Sequence, residues 1–181
     1  MGKLKLQIQL SIDGYISGPN GEMDWLIWNW DEELKKFVVK ITESTDTIVL
    51  GRKLAQGFIP HWNSNTALEG AEKINKSKKI VFTKTLENAE WENTELERGN
   101  LTEKISNLKK SNRKDLIAYG GGEFVSSLIK ENLIDEFYFF INPSILGKGM
   151  TIFESVAYKT DLTLESAKTY DCGITVLSYK L

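Results

Sequence analysis

The sequence predicts an α/β fold built on a mainly parallel sheet with an antiparallel edge. Two observations lead to this expectation. Short apolar segments rich in β-branched residues alternate with amphipathic helical segments over most of the chain, and two strand-like segments follow each other near its C-terminal end. The length of 181 residues suits one domain, so we expect residues 1–181 to form a single domain.

The first third of the chain predicts a strand, a loop and a helix, in that order. Apolar residues alternate with lysine and glutamine from Leu4 to Leu10, which is the period of a strand. Residues 11–21 are rich in Gly, Ser, Asp, Asn and Pro, which is typical of a loop. Residues 31–43 carry apolar side chains at helical spacing, and Asp31 is placed to cap the helix.

The same two periods predict the remaining elements. Strands are expected at 47–50, 79–82, 90–96, 115–119, 137–141, 162–168 and 174–179, and helices from about residue 100 and over 123–130. Asn100 is a candidate helix cap, because Glu103 follows it by three residues. Residues 60–79 are polar and are expected to form a mobile surface excursion that includes His61.

Composition excludes several kinds of site and partner. Lys and Arg number 23 against 25 Asp and Glu, so no strong basic surface is available for nucleic acid. Cys172 is the only cysteine and His61 the only histidine, so we expect no metal site. No apolar run reaches the length of a membrane span or a secretory signal, which favours a cytoplasmic protein with no membrane partner.

Three strand ends carry groups that suit phosphate. A glycine run follows one strand and opens a helix, cations follow a second strand, and hydroxyls with a cation follow a third. These residues are Gly120, Gly121 and Gly122, then Gly51, Arg52 and Lys53, then Thr83, Lys84 and Thr85. Each group alone also fits a tight turn or solvated surface. Because parallel strands end at one edge, the three together favour a ligand with several phosphates, such as a dinucleotide.

A substrate would lie opposite these strand ends, under the loop from Asp13 to Asp24. Tyr15 and Trp25 could cover a flat substrate, although large aromatic residues more often pack in a core. The candidate acids are Asp13, Asp24, Asp31 and Glu33, and capping is the better explanation of Asp31.

The ordered motifs of the chain resemble bacterial dihydrofolate-reductase-like proteins, which are related to the reductase domain of the riboflavin-biosynthesis protein RibD. The motifs are Ser11-Ile-Asp-Gly-Tyr-Ile-Ser, Gly21-Glu-Met-Asp-Trp25, Thr47-Ile-Val-Leu-Gly-Arg52, Lys79-Ile-Val-Phe-Thr-Lys-Thr85, Asp115-Leu-Ile-Ala-Tyr-Gly-Gly-Gly122, Leu133-Ile-Asp-Glu136 and Pro143-Ser-Ile-Leu-Gly-Lys-Gly149. They span nearly the whole chain.

The resemblance implies a three-layer dihydrofolate-reductase-like fold with about eight strands flanked by helices, and NADPH as cofactor. It assigns the phosphates and the adenosine side of the cofactor to the three strand ends. Glu123 and Phe124, which follow the glycine run, are included among the cofactor-binding residues. The loop around Ile16 to Trp25 would close over nicotinamide and substrate. Alignment on the Leu34-x-x-Phe37 pattern places the family's helix acid at Glu33 and adds Phe37 to the substrate-contacting residues.

The implied function is NADPH-dependent hydride transfer to a small heterocycle, with 5-amino-6-(5-phosphoribosylamino)uracil as the first candidate substrate. Two alternatives stay open: a dihydrofolate or dihydropteridine reductase, and a nucleotide- or flavin-binding protein without turnover. Asp24 precedes Trp25 where dihydrofolate reductases usually have proline, and the zinc deaminase pattern of bifunctional RibD is absent. Apolar strands such as 137–141 suggest a homodimer.

Overall fold

The computed structural model describes residues 1–181 and contains one eight-stranded sheet with helices on both faces. The strands are β1 (Leu4–Leu10), β2 (Thr45–Gly51), β3 (Lys78–Phe82), β4 (Thr94–Glu97), β5 (Asp115–Ala118), β6 (Glu136–Ile141), β7 (Thr163–Thr169) and β8 (Thr175–Lys180). The helices are α1 (Glu32–Thr42), α2 (Arg52–Ser64), α3 (Ala71–Lys76), α4 (Leu101–Ser111) and α5 (Gly122–Lys130).

The sheet order is β4-β3-β2-β5-β1-β6-β8-β7. Strands β1 to β6 are all parallel to one another, whereas β8 is antiparallel to both β6 and β7. The expected parallel sheet with an antiparallel edge is therefore confirmed. The two C-terminal strands form a hairpin, which turns through Asp171, Cys172 and Gly173.

Alternation along the strands divides the core into layers. Leu6, Val49 and Leu116 pack with α4 and α5 on one face of the sheet. On the other face, Ile48 packs with α2 and α3, and Phe140 packs with α1. This arrangement is the three-layer α/β fold that the family resemblance implies.

Side-chain caps begin two of the helices where the sequence places them. Asp31 accepts a hydrogen bond from the Leu34 amide at 2.9 Å, and Asn100 accepts one from the Glu103 amide at 3.0 Å. Each cap satisfies an amide that the first helical turn leaves without a backbone partner.

The expectation for residues 60–79 was wrong. This stretch contains the end of α2, the whole of α3 and the start of β3, and His61 is helical instead of lying in a loop. Ala55, Phe58, Ile59 and Trp62 form the apolar stripe of α2 against the sheet. Gly57 and Pro60 interrupt the helical pattern in the sequence, but burial of this stripe outweighs their low helix propensity.

The predicted strand over residues 90–96 begins later in the structure, as β4 at Thr94. Asn93 has a φ of 55°, a left-handed conformation that interrupts extended backbone just before β4. None of the helices has the length and apolar character needed to cross a membrane.

Candidate functional site

The three strand ends that suit phosphate line one concavity of about 560 Å³ at the carboxyl edge of the sheet. We call this concavity the edge groove. It lies beyond the parallel strands β2, β3 and β4, with the first turn of α5 beside it. Its lining residues include Gly51, Arg52, Lys53, Thr83, Lys84, Thr85, Arg98, Gly121, Gly122, Glu123, Phe124 and Met150. Gly120 is buried just before the turn and does not line the groove.

Two helix N-termini face the edge groove without a side-chain cap. Gly51 precedes α2 and Gly121 precedes α5, and neither position offers a side chain to the amides of the first turn. Those amides are therefore free to bind an anion, and both helix dipoles favour negative charge at this place.

Glycine is required here by backbone conformation and by close packing. Gly120 and Gly121 have φ values of 144° and 88°, which side chains rarely tolerate. A Cβ on Gly51 would lie 2.7 Å from Cβ of Phe124, so α2 and α5 can approach closely only because residue 51 has no side chain. The glycines thus bring two uncapped amide clusters to one groove.

Cationic side chains surround the edge groove, and two of them already bind partners within the protein. The guanidinium of Arg98 donates to the carbonyl oxygens of Leu86 and Glu87 at 2.6 and 2.8 Å. Lys53 pairs with Glu123 at 2.7 Å across the first turns of α2 and α5. This contact with the Lys53 ammonium is the main reason that the pKa of Glu123 is lowered.

The hydroxyl of Thr83 shapes the turn that follows β3. It accepts hydrogen bonds from the amides of Thr85 and Leu86 at 3.1 and 3.0 Å. Thr83 is buried, whereas Lys84 and Thr85 are exposed at the groove surface. Lys84 is therefore the free cation of this strand end, and Thr83 supports the turn that presents it.

The loop after β1 meets the glycine turn at Ile16. The Ile16 amide donates to the Met150 carbonyl at 2.8 Å, and the Met150 amide donates to the Ser17 carbonyl at 3.0 Å. A Cβ on Gly122 would lie 3.4 Å from Cδ1 of Ile16. Tyr15 and Trp25 are both half-buried in the same loop. The structure thus places the predicted covering loop at one end of the edge groove.

The carboxylates proposed as acids do not line this groove. Asp13 accepts hydrogen bonds from the Ser11 hydroxyl at 2.7 Å and from the Leu146 and Gly147 amides at 3.1 and 2.7 Å. These bonds, that of Ser11 above all, lower the pKa of Asp13. Asp24 is exposed in the loop. Asp31 caps α1 and accepts from the Cys172 amide, and its pKa is lowered chiefly by the bond from the Leu34 amide.

Glu33 and Phe37 lie elsewhere, in a crevice between α1 and the end of β7 that Lys168 and Tyr170 also line. Glu33 is exposed at this crevice. Phe37 packs its ring against Tyr138, Phe140 and Tyr170, with centroid distances of 6.1 to 6.4 Å. The structure therefore does not bring these two residues together with the edge groove.

Sequence reasoning missed Arg98 and Met150, which line the edge groove. Arg98 directly follows β4 and repeats the pattern of a cation after a strand. The predicted strand began four residues and ended one residue before β4, which hid the signal. Met150 carries no such signal, because only its pairing with the loop at Ser17 brings it to the groove.

Comparison with known proteins identifies related chains over the full length. The family model of the RibD C-terminal domain matches residues 2–176. The Bacillus subtilis protein YyaP is 32% identical over 181 residues, which cover 98% of this chain and 94% of YyaP. A second B. subtilis protein, YwjB, is 26% identical over 93% of this chain and 92% of its own length.

Solved structures share the fold at low sequence identity. A protein from Shewanella sp. PV-4 that is assigned by name to riboflavin biosynthesis superposes with a TM-score of 0.77 and 22% identity, covering 99% of this chain and 98% of its own. The Thermotoga maritima diaminohydroxyphosphoribosylaminopyrimidine deaminase/5-amino-6-(5-phosphoribosylamino)uracil reductase has a TM-score of 0.70 and 16% identity, over 99% of this chain and 56% of that one.

Proposed function

Because the chain belongs to the RibD C-terminal domain family, we propose that it is an NADPH-dependent reductase of a small heterocyclic substrate. The first candidate substrate is 5-amino-6-(5-phosphoribosylamino)uracil, which the T. maritima structural relative is named for reducing. We include the expected homodimer in this proposal, and light scattering of the purified chain tests it.

The observation that carries the proposal is the edge groove with its two uncapped helix N-termini. NADPH has a pyrophosphate and a separate ribose phosphate, so it needs anion sites at more than one place. The first turn of α5 supplies one such site, and the cations after β2, β3 and β4 supply others along the same groove. The residues present therefore fit the cofactor.

We assign the amides of Gly121 and Gly122 to the pyrophosphate and Arg52 and Lys84 to the adenosine side. When bound, NADPH supplies a hydride. Ile16 and Met150 close the other end of the groove, where they would align the reacting ring and exclude water.

Proton delivery is assigned to water. Asp13 is held ionised by three hydrogen bonds, so it is a poor proton donor near neutral pH. Asp24 is exposed to solvent, and Glu33 lies at a different crevice. A water molecule that enters beside the covering loop satisfies the same requirement without a carboxyl group at the groove.

The proposal is tested by titrating the purified chain with NADPH and then adding candidate substrates. We expect saturable NADPH binding, followed by NADPH oxidation when the pyrimidine is added. Oxidation with dihydrofolate instead would identify a folate reductase. NADPH binding without turnover of either substrate would indicate a binding protein, and no binding would refute the proposal.

A matched pair of glycine variants tests the groove itself. Gly121→Ala strains a backbone with a φ of 88° and places a methyl group at the turn, whereas Gly70→Ala strains a φ of 85° remote from the groove. Both should lose similar stability. Only Gly121→Ala should weaken NADPH binding, by about tenfold or more, because charge-assisted bonds to backbone amides are disturbed. Equal affinity in the two folded variants would contradict the assignment.

A further inference from the structure

A second concavity, of about 630 Å³, lies between α1 and the edge strand β7. We call it the lysine crevice. Its lining includes Glu33, Lys36, Phe37 and Lys40 of α1, and Lys168 and Tyr170 at the end of β7. The four α1 residues recur at helical spacing, so they form one stripe along the helix. None of the six lines the edge groove, so the two concavities are separate.

Three lysines meet at the lysine crevice and make no ion pair with the chain. They are Lys36, Lys40 and Lys168. Nearby carboxylates are already paired elsewhere, because Glu32 binds Lys35 at 2.7 Å and Glu165 of β7 binds Lys180 of β8. Two lysines four residues apart on one helix repel each other. The lysine crevice therefore holds positive charge that the chain itself does not neutralise.

Aromatic rings line the same space as these lysines. Phe37 is half-buried and Tyr170 is 9% exposed, and their ring centroids lie 6.2 Å apart. The Lys168 ammonium lies 5.9 Å from the centroid of the Phe37 ring. Rings of this kind bind flat apolar groups by stacking, and the ammonium above the ring adds a cation–π contact. The lysine crevice thus combines an aromatic wall with cations.

The Tyr170 hydroxyl is buried and has no hydrogen-bond partner. Burial above all, and then the negative charges of Asp31 and Glu33, raises the pKa of Tyr170, so the phenol keeps its proton and can donate. Since Asp31 and Glu33 lie at the start of α1, the hydroxyl belongs to that end of the lysine crevice. A buried donor without a partner indicates that a group from outside the chain accepts from it.

The charges indicate the chemical class of the ligand. Three lysines and Glu33 leave a net charge of about +2 at the lysine crevice near neutral pH. A phosphate monoester carries roughly −1.5 to −2 under the same conditions, and lysine ammonium groups are common phosphate ligands. From Glu33 to Lys40 the helix rises about 10 Å, which leaves room for an aromatic ring between a phosphate and the Tyr170 end.

We propose that the lysine crevice is a second ligand site, which binds a small aromatic compound that carries a phosphate group. The phosphate contacts the three lysines, and the ring stacks on Phe37. A carbonyl at the far end of the ring accepts a hydrogen bond from the Tyr170 hydroxyl. This site goes beyond the proposed function and does not depend on it, because it shares no residue with the edge groove.

The first test compares phenyl phosphate with methyl phosphate by calorimetric titration. The wild type should bind phenyl phosphate roughly tenfold more tightly, because its ring buries apolar surface against Phe37. Lys36→Gln/Lys40→Gln should weaken the binding of phenyl phosphate about tenfold or more. The matched control is Arg52→Gln/Lys84→Gln, which removes two cations from the edge groove and should leave phenyl phosphate binding unchanged.

The second test concerns the Tyr170 hydroxyl and uses 4-acetylphenyl phosphate, whose carbonyl lies opposite the phosphate. The wild type should prefer it to phenyl phosphate by about twofold to tenfold, which corresponds to one hydrogen bond. Tyr170→Phe should abolish this preference. In the ligand-free chain Tyr170→Phe should leave Tm unchanged or raise it, because it removes an unsatisfied buried hydroxyl. A purely structural hydroxyl would instead lower Tm when removed.

The outcomes separate this site from the edge groove. Phenyl phosphate binding that depends on the crevice lysines and not on the groove cations supports the proposal. Unchanged binding in Lys36→Gln/Lys40→Gln, a loss confined to the groove variant, or no preference over methyl phosphate overturns it. A carbonyl preference that persists in Tyr170→Phe, or a lowered Tm, overturns the role of the hydroxyl. Failure of the wild type to bind NADPH would refute the proposed function and leave this site standing.

Discussion

Replacing Gly51 by alanine tests the packing that brings the two helix N-termini together. The backbone at Gly51 is extended, with a φ of −79° and a ψ of 153°, so alanine meets no backbone strain. Its Cβ would lie 2.7 Å from Cβ and 3.1 Å from Cγ of Phe124. Phe124 cannot turn away freely, because its ring packs on Phe82 with centroids 5.3 Å apart. The first turns of α2 and α5 must therefore separate.

The expected magnitude follows from two opposing effects. Ordinary carbon–carbon contacts lie near 3.5–4.0 Å, so the new methyl group is about 1 Å too close. Overpacking of this kind costs about 1–3 kcal/mol, and the loss of chain entropy in the unfolded state offsets about 0.4–1 kcal/mol of it. Gly51→Ala should thus lower the unfolding free energy by roughly 0.5–2 kcal/mol.

Gly57→Ala is the matched control, since Gly57 lies within α2 and a Cβ there would meet nothing within 4 Å. It should raise stability by about 0.5–1 kcal/mol, because alanine favours a helix over glycine. Urea unfolding measures both variants, and NADPH titration should show weaker binding for Gly51→Ala only. A Gly51→Ala chain as stable as Gly57→Ala would refute the packing argument.

Two further predictions concern charge. Hydrogen bonds from Lys104 and then Lys78 lower the pKa of Glu95 from 4.5 to about 2. The stability that this shift provides is present above pH 4.5 and is lost as the pH falls towards 2. Wild type should exceed Glu95→Gln by about 1 kcal/mol at pH 7, after discounting for 41% exposure, and the difference should vanish near pH 2 in thermal unfolding. At the groove, Glu123→Gln should tighten NADPH binding and Lys53→Met should weaken it, and calorimetry in 1 M salt should find both effects nearly abolished. An NADPH affinity that changes in the same direction and to the same extent in both groove variants would contradict this prediction.

Features that depend on neighbours along the chain were predictable from the sequence. Asp31 and Asn100 cap helices because each reaches an amide three residues ahead. The glycine run at 120–122 was recognisable as a turn between a strand and a helix because only glycine readily adopts its backbone angles. Alternation of strand and helix periods predicted the mainly parallel sheet with an antiparallel edge for the same local reason.

The position of a side chain in the fold depends on how distant segments pair. Only the tertiary structure determined that pairing. Glu33 and Asp13 read equally well as candidate acids, but packing of α1 on β6 and β8 places Glu33 at a crevice away from the groove. The alternation around Gln7 predicts a strand but not where in the sheet that strand lies. Its pairing partners, near residues 118 and 138, make β1 the centre of the sheet, so the carboxamide of Gln7 is buried instead of solvated. Local sequence determines which elements form and where they turn. Long-range pairing determines which side chains face the same space, because that depends on contacts over more than a hundred residues.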